Sequence, residues 1–184
     1  MDFGNILFSL WFFLPVGLAN CTPIFMAHVP FFKKWSYPLD CYITVNGKRL
    51  LGNHKTIRGI TSGILVAIGV VYLQRYMYIH YSFMQHISID YKTVNPLLLG
   101  TLAGGGALGG DAIKSFFKRQ FAVLPGNTWF PLDQLDYIIG ASITTWFLVP
   151  LSFTMYLTIA IVWFFLHLVT SFLGYVLNLK EKPI

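Results

Sequence analysis

Long apolar segments alternate with short polar ones along the whole chain. A membrane-spanning helix needs about 20 mostly apolar residues, and five segments reach or approach that length: Phe3–Ala27, Gly59–Ile79, Pro96–Gly110, Leu135–Phe153 and Tyr156–Leu177. Only a few residues around Pro150 separate the last two, which predicts a tight antiparallel helical hairpin there. The pattern predicts an all-α membrane protein, a single domain over residues 1–184, with five transmembrane helices and cytoplasmic loops that form a polar site.

The composition favours the same class. Apolar residues make up 55% of the chain and charged residues 11%, whereas an ordinary soluble domain has about 25% charged residues. The mean hydropathy is +0.62. A water-soluble fold of this size would lack polar surface, so that class is excluded. Cys21 and Cys41 show no paired spacing and indicate neither a disulfide framework nor a zinc site.

The basic residues predict the orientation in the membrane. Of the 13 Lys and Arg residues, all but Arg75 and Lys92 fall in His28–Arg58, in Gly110–Gln134 or in the C-terminal tail. The positive-inside rule places those two loops and the tail in the cytoplasm and the N-terminus outside. This distribution explains the net charge of +6, and we expect no nucleic-acid partner.

The segment Gly110–Phe121 has the spacing of an amphipathic helix. Asp111, Lys114, Ser115 and Lys118 recur on one side of it, and apolar residues occupy the other. An interfacial helix with solvated charges would show the same pattern. The segment therefore leaves open whether these residues form a site.

A second group of acidic residues precedes the fourth span. Pro131 is placed to begin a helix, which puts Asp133 and Asp136 one turn apart on the same side. Acidic residues favour helix N-termini, which explains Asp133. Asp136 enters an apolar span, where an ionisable group is costly and marks a functional candidate. Together with Asp111, these carboxylates predict a partial shell for Mg²⁺, which prefers a few carboxylates plus substrate phosphate oxygens.

Basic residues on the same predicted side could meet phosphate charge. Lys55, Thr56 and Arg58 lie in the first loop, with glycines on either side that permit close backbone approach to a phosphate. Juxtamembrane basic residues commonly serve only topology or headgroup contact, and that interpretation stays open here. In the second loop, Lys118 and Arg119 offer similar chemistry.

The glycines of the third span have a simpler interpretation. They do not form a phosphate-binding P-loop, because the last glycine is not adjacent to the lysine and no strand precedes it. Gly100, Gly104 and Gly105 instead predict close helix packing by small residues.

In order and spacing, these motifs resemble the archaeal-type CDP-archaeol synthases, relatives of the CDP-diacylglycerol synthases. Where the longer diacylglycerol enzymes carry Gly-His-Gly-Gly, this chain has Asn127–Phe130, which resembles the archaeal-type branch. The shared blocks cover nearly the whole chain: Ala19-Asn20 with Pro23, Pro38-Leu39-Asp40, Gly52 to Gly59, Gly110-Asp111 to Lys118-Arg119, Pro125-Gly126, and Asp133 to Asp136.

The resemblance implies a Mg²⁺-dependent cytidylyltransferase of the cell membrane, with its site facing the cytoplasm. It would transfer CMP from CTP to a phosphorylated glycerolipid of the archaeol type and release pyrophosphate. A homodimer is a further possibility. The predicted metal ligands are Asp111, Asp133 and Asp136; the predicted catalytic residues are Lys55, Arg58, Lys118 and Arg119; the predicted substrate-binding residues are Asn20, Asp40, Thr56, Lys114, Ser115 and Gly126.

Several alternatives stay open at this point. The same reaction on phosphatidic acid would give CDP-diacylglycerol, since both lipids present the same phosphate. A lipid phosphatase or a CDP-alcohol phosphotransferase is also a metal-dependent membrane enzyme, but the paired-aspartate motifs of the latter family are absent from the sequence. A non-enzymatic transporter or headgroup-binding protein would place charges in mid-span or show inverted repeats, whereas the charges here cluster at one interface.

Overall fold

The computed structural model describes residues 2–29, 35–45, 47–53, 55–123 and 127–176, and its regular structure is almost entirely helical. The predicted all-α class is confirmed, with one small antiparallel hairpin in the first loop. The helices are α1 (Phe3–Phe12), α2 (Leu14–His28), α3 (Ile57–His80), α4 (Ser82–His86), α5 (Pro96–Gln120), α6 (Leu132–Trp146) and α7 (Phe153–Val176), and the strands are β1 (Thr44–Val45) and β2 (Lys48–Arg49).

Among the described helices, α3 and α7 are long and apolar enough to cross a membrane. Helices α1 and α2 meet at a bend of 44° and make a third candidate if they count as one span. Helix α5 has 25 residues, but charged side chains occupy its last turns. Helix α6 has 15 residues, which corresponds to about 22 Å.

Two predicted span boundaries were wrong. The third span was expected to end at Gly110, but α5 continues without a break to Gln120. The charged segment is therefore the end of a long helix and not a separate interfacial one. The fourth span was expected to reach Phe153, whereas α6 ends at Trp146 and the connection to α7 is correspondingly longer.

Buried polar side chains stabilise the bend between α1 and α2. Pro15 has no N–H group, so the carbonyl of Trp11, four residues earlier, loses its helical partner. Gln74 of α3 is fully buried and donates to that carbonyl at 2.5 Å. Tyr91 in turn donates to Gln74 at 3.0 Å. The bend is thereby tied to α3 and to the loop that precedes α5.

Helix α5 lies between α3 and α6 and packs on α3 through small residues. A Cβ added at Gly100 would lie 2.9 Å from Cγ1 of Ile68, and one at Gly104 would lie 2.9 Å from Cβ of Ala67. The prediction of close packing is confirmed for these two glycines. It was wrong for Gly105, where an added Cβ would meet nothing within 4 Å.

The contact between α5 and α6 is closer still, because glycines of both helices meet there. A Cβ at Gly110 would overlap the carbonyl oxygen of Asp136, and one at Gly140 would overlap the carbonyl oxygen of Gly106. Glycine allows this approach of one backbone to another. Asp111 follows Gly110 directly, so the contact brings it beside the first turns of α6.

Candidate active site

Three aspartates from two helices surround a single lysine. The Nζ atom of Lys114 lies 3.0 Å from Oδ1 of Asp111, 2.9 Å from Oδ1 of Asp133 and 2.8 Å from Oδ2 of Asp136. One helical turn separates Asp111 from Lys114 on α5, and Asp133 and Asp136 occupy the first turns of α6. These side chains are mostly buried, and only 5% of the Asp136 side chain is exposed.

Two further lysines flank this cluster. Lys55, just before α3, forms an ion pair with Oδ2 of Asp111. Lys118 lies 2.9 Å from Oδ2 of Asp133 and donates to the backbone carbonyl of Asn127 at 2.8 Å. Three ammonium groups therefore face three carboxylates, and these six groups carry no net charge. Because unpaired buried charges are costly, this pairing explains how the cluster persists at the end of the helical bundle.

Backbone groups orient the two carboxylates of α6. The N–H of Trp129 donates to Oδ2 of Asp133 at 2.6 Å, and the N–H of Tyr137 donates to Oδ1 of Asp136 at 2.6 Å. The other oxygen of Asp136, Oδ2, is buried and receives no hydrogen bond of good geometry from the described residues. Its close neighbour is the ammonium group of Lys114, so this oxygen is placed to contact a cation.

Backbone pairing in the first loop sets the position of Lys55. Its carbonyl accepts from the N–H of Leu39 at 2.7 Å, beside the bridge that pairs Pro38 with Thr56. Thr56 then caps α3, since its hydroxyl accepts from the N–H of Gly59 at 3.1 Å. Arg58 is buried in the first turn of the same helix.

Asp40 holds the first loop together. Its carboxylate accepts from Arg49 at 2.6 and 3.1 Å and from the N–H groups of Tyr42, Leu51 and Gly52 at 3.2, 3.0 and 3.2 Å. The guanidinium of Arg49 holds the pKa of Asp40 well below its usual range. A carboxylate offers about four acceptor positions, so these donors fill it. The donors favour a role in holding the loop over the substrate contact predicted for Asp40.

The same loop packs against the end of α5. Lys48 donates to the carbonyl of Gln120 at 3.0 Å. Gly52 has a φ of +88°, which glycine adopts without strain, and a Cβ there would lie 3.3 Å from Nε of Arg119. Arg119 also donates to the carbonyl of Val123 at 3.3 Å. The loop therefore lies next to the charged end of α5.

Known proteins share both the sequence and the arrangement of helices. A family model described as CarS-like CDP-archaeol synthase matches residues 3–184. The CDP-archaeol synthase of Methanocaldococcus jannaschii is 30% identical over 181 residues, which is 97% of this chain and 98% of that protein. The chain belongs to the CarS-like CDP-archaeol synthase family.

Further comparisons agree with this family. The CDP-archaeol synthase of Methanospirillum hungatei is 33% identical over 144 residues, which is 75% of this chain and 83% of that protein. The solved structure of an intramembrane enzyme for archaeal membrane lipids biosynthesis has the same fold, with a TM-score of 0.69 over 88% of this chain and 91% of that one, at 24% identity. The resemblance to CDP-archaeol synthases is confirmed, as is the prediction of a membrane enzyme of the cytidylyltransferase class.

The structure brings most of the predicted charged residues of this CDP-archaeol synthase family member to one place. Arg58 and Arg119 lie in neighbouring elements, at the start of α3 and the end of α5. The residues in direct ionic contact are Lys55, Asp111, Lys114, Lys118, Asp133 and Asp136.

The remaining predicted residues have local surroundings. Ser115 is buried and donates to the backbone carbonyl of Asp111 at 2.8 Å, as hydroxyls within helices commonly do. Asn20 is half-buried in α2. Thr56 caps α3, and Gly126 lies outside the described residues. Their predicted contacts with substrate stay predictions.

Sequence reasoning missed two features of the site. Gly106 and Gly110 recur four residues apart and face Gly140, a small-residue pattern that could have indicated the close contact of α5 with α6. The pair formed by Asp40 and Arg49 joins residues across a hairpin, and no periodic pattern signals such a contact.

Proposed function

We propose that this protein transfers CMP from CTP to a phosphorylated glycerolipid of the archaeol type and releases pyrophosphate. Membership of the CarS-like CDP-archaeol synthase family supports the reaction class. The observation that carries the assignment of the site is the convergence of Asp111, Asp133 and Asp136 with three lysines at one end of the bundle. Such a cluster can bind a polyphosphate together with a cation.

The reaction requires no nucleophile from the protein. An oxygen of the lipid phosphate attacks the α-phosphorus of CTP, the bond from that phosphorus to the bridging oxygen breaks, and pyrophosphate leaves with the electron pair. The attacking phosphate is already anionic, since a phosphate monoester carries about −1.5 to −2 charges at neutral pH. The work left to the protein is therefore positioning and stabilisation of charge.

The charge balance of the cluster favours an anionic ligand that arrives with a cation. The six ionic groups are neutral among themselves, so CTP and lipid phosphate together would bring excess negative charge. Arg58 follows Lys55 by three residues and Arg119 follows Lys118 directly. Lys55 and Lys118 can exchange carboxylate contacts for phosphate contacts. We propose that these four residues receive the phosphate groups.

Magnesium is the proposed cofactor. Among the described residues, no group of three or more His, Cys, Asp or Glu side chains is arranged to hold a metal ion; instead, the ammonium of Lys114 takes the point between the carboxylates. The donor set nevertheless fits Mg²⁺, because three carboxylate oxygens from two helices converge there and Oδ2 of Asp136 is buried without a good hydrogen bond. When bound, Mg²⁺ would neutralise triphosphate charge, and Asp133, Asp136 and Asp111 would hold it.

We also propose five spans, formed by α1 with α2, α3, α5, α6 and α7, with the site on the cytoplasmic side. The charged cluster lies where α3 begins and α5 ends, whereas Arg75 and Lys92 lie towards the other ends of these helices. On α5, the apolar side chains of Ile113 and Phe117 are 62% and 46% exposed beside the charged residues. This surface suits entry of lipid from the bilayer. Assembly as a homodimer stays a prediction.

Labelled CTP tests the proposed reaction in the purified protein. With an archaeol-type phosphate lipid, label should become lipid-extractable and pyrophosphate should be released in equal amount. Asp133→Asn and Asp136→Asn should each lower the rate by about 10²-fold or more. The matched control is Asp2→Asn, because Asp2 is exposed at the start of α1 and its side chain does not cap that helix.

The alternatives give different results in the same assay. Phosphatidic acid is assayed beside the archaeol-type lipid. A higher kcat/KM for phosphatidic acid would show that it is the preferred substrate, and an equal value would contradict a preference for the archaeol type. A transporter or a headgroup-binding protein would transfer no label. Full activity in the Asp133 and Asp136 variants would contradict the assignment of the site.

A further inference from the structure

Lys114 lies where a free cation would be expected. Its Nζ atom is within 3.0 Å of one oxygen from each of three aspartates. The three carboxylates surround this ammonium group, which carries N–H donors and no acceptor. In this arrangement the charge of Lys114 is directed at the three aspartates.

The three aspartates depend on Lys114 to different degrees. Asp111 also pairs with Lys55, and Asp133 also pairs with Lys118. Asp136 has the most buried side chain of the three, and Lys114 is the partner of its ion pair among the described residues. If Lys114 left without replacement, the carboxylate of Asp136 would be buried without a compensating cation. Such a state is strongly disfavoured.

The lysine side chain is nevertheless able to move. It is a flexible four-carbon stem that carries a point charge, and Lys114 lies one turn before Lys118 on the same side of α5. A triphosphate bound beside Lys118 would offer it a new anionic partner. The departure of Lys114 would then open the point between the carboxylates for another cation.

We infer that Lys114 is a tethered cation that keeps the aspartate cluster closed in the absence of nucleotide and yields its place to a divalent ion only when a triphosphate receives it. In this role Lys114 is a positioning residue. The inference rests on the proposed function, because it assumes that CTP and a divalent ion share this site. It implies that ion and nucleotide each strengthen the binding of the other by the same factor.

Binding of Mn²⁺ tests the inference without any turnover. Free Mn²⁺ is measured by electron paramagnetic resonance in the purified protein, with and without CTP and with no lipid present, and the Mn²⁺ that CTP binds in protein-free solution is measured separately and subtracted. In the wild type, CTP should tighten Mn²⁺ binding at least tenfold. Lys114→Gln should bind Mn²⁺ without CTP at least tenfold more tightly than the wild type, and CTP should then add little.

Two matched variants serve as controls. Lys114→Arg keeps a positive charge in the cluster and should bind Mn²⁺ without CTP no more tightly than the wild type, and Lys92→Gln removes a distant charge and should leave Mn²⁺ binding unchanged. If Lys114→Gln is unstable without a metal, addition of Mn²⁺ should raise its melting temperature, while that of the wild type without CTP stays constant. The wild type also gives a test without any variant. If CTP tightens its Mn²⁺ binding less than twofold, the inference is overturned.

The outcomes separate this inference from the proposed function. Equal Mn²⁺ affinity of wild type and Lys114→Gln without CTP, combined with CMP transfer that needs a divalent ion, overturns the inference alone. CMP transfer that proceeds without any divalent ion, with no Mn²⁺ binding in the presence of CTP, overturns the metal part of the proposed function and the inference with it.

Discussion

Replacing Gly110 with alanine tests whether the close contact of α5 with α6 sets the geometry of the site. The added Cβ would overlap the carbonyl oxygen of Asp136 and would lie 3.0 Å from its carbonyl carbon and 3.2 Å from Cα of Gly140. Carbon atoms pack at about 3.5–4.0 Å. The two helices must therefore separate by roughly 0.5–1 Å to accept the methyl group.

This separation acts directly on the aspartate cluster, because Asp111 lies on one helix and Asp136 on the other. A misplacement of about 1 Å in a catalytic arrangement can cost about 10²-fold in rate. The effect on stability should be smaller. Overpacking costs about 1–3 kcal/mol, and the replacement of glycine by alanine within a helix returns up to about 1 kcal/mol. We expect Gly110→Ala to fold and to lose about 10²-fold in rate.

Gly109→Ala is the matched control, because it is the neighbouring position in the same helix and an added Cβ there meets nothing within 4 Å. It gains the same helix propensity without moving α6. The assay is the initial rate of label transfer from CTP to lipid, per folded molecule, together with the melting temperature. A rate for Gly110→Ala within twofold of the rate for Gly109→Ala would refute this reasoning.

Three other changes follow from the described contacts. Asp40→Asn should lower the free energy of unfolding by about 1.5–3 kcal/mol at neutral pH. Arg49 depresses the pKa of Asp40 in the folded protein, so the stability that the carboxylate contributes is present above pH 3.8, the usual pKa of aspartate, and is lost as the pH falls below that value. Unfolding followed against pH checks this, and a difference between the variant and the wild type that persists at low pH would contradict it. Gly52→Ala and Gly47→Ala both place alanine at positive φ, +88° and +74°, and each should lower the free energy of unfolding by about 1–2 kcal/mol. Only Gly52→Ala should raise the KM for CTP, because its Cβ would meet Arg119 at the end of α5. Equal KM values for the two variants would contradict this contact. Gln74→Leu removes the side-chain partner of the Trp11 carbonyl and of the Tyr91 hydroxyl, and should destabilise the protein by about 1–3 kcal/mol. The rate per folded molecule should not change, and an unchanged melting temperature would count against the role of Gln74 at the bend.

Local pattern was enough to predict the class of the protein and much of its helical structure. Pro131 at the start of α6 and the one-turn spacing of Asp133 and Asp136 are properties of a single segment, and both were found as predicted. The same is true of the charged side of α5, whose opposite side exposes Ile113 and Phe117. Such features can be predicted because side-chain periodicity depends only on the helix that carries it.

Contacts between segments could not be predicted in this way. Lys114 and Asp40 were predicted to contact substrate, and those predictions stay open. The sequence did not indicate that Lys114 pairs with three aspartates or that loop donors surround Asp40. These outcomes depend on how closely α5 approaches α6 and on how the first loop closes over the end of α5. The separation of two helices follows from the packing of all the residues between them, and here Gly110 and Gly140 bring the backbones together until acidic groups distant in sequence share one cation.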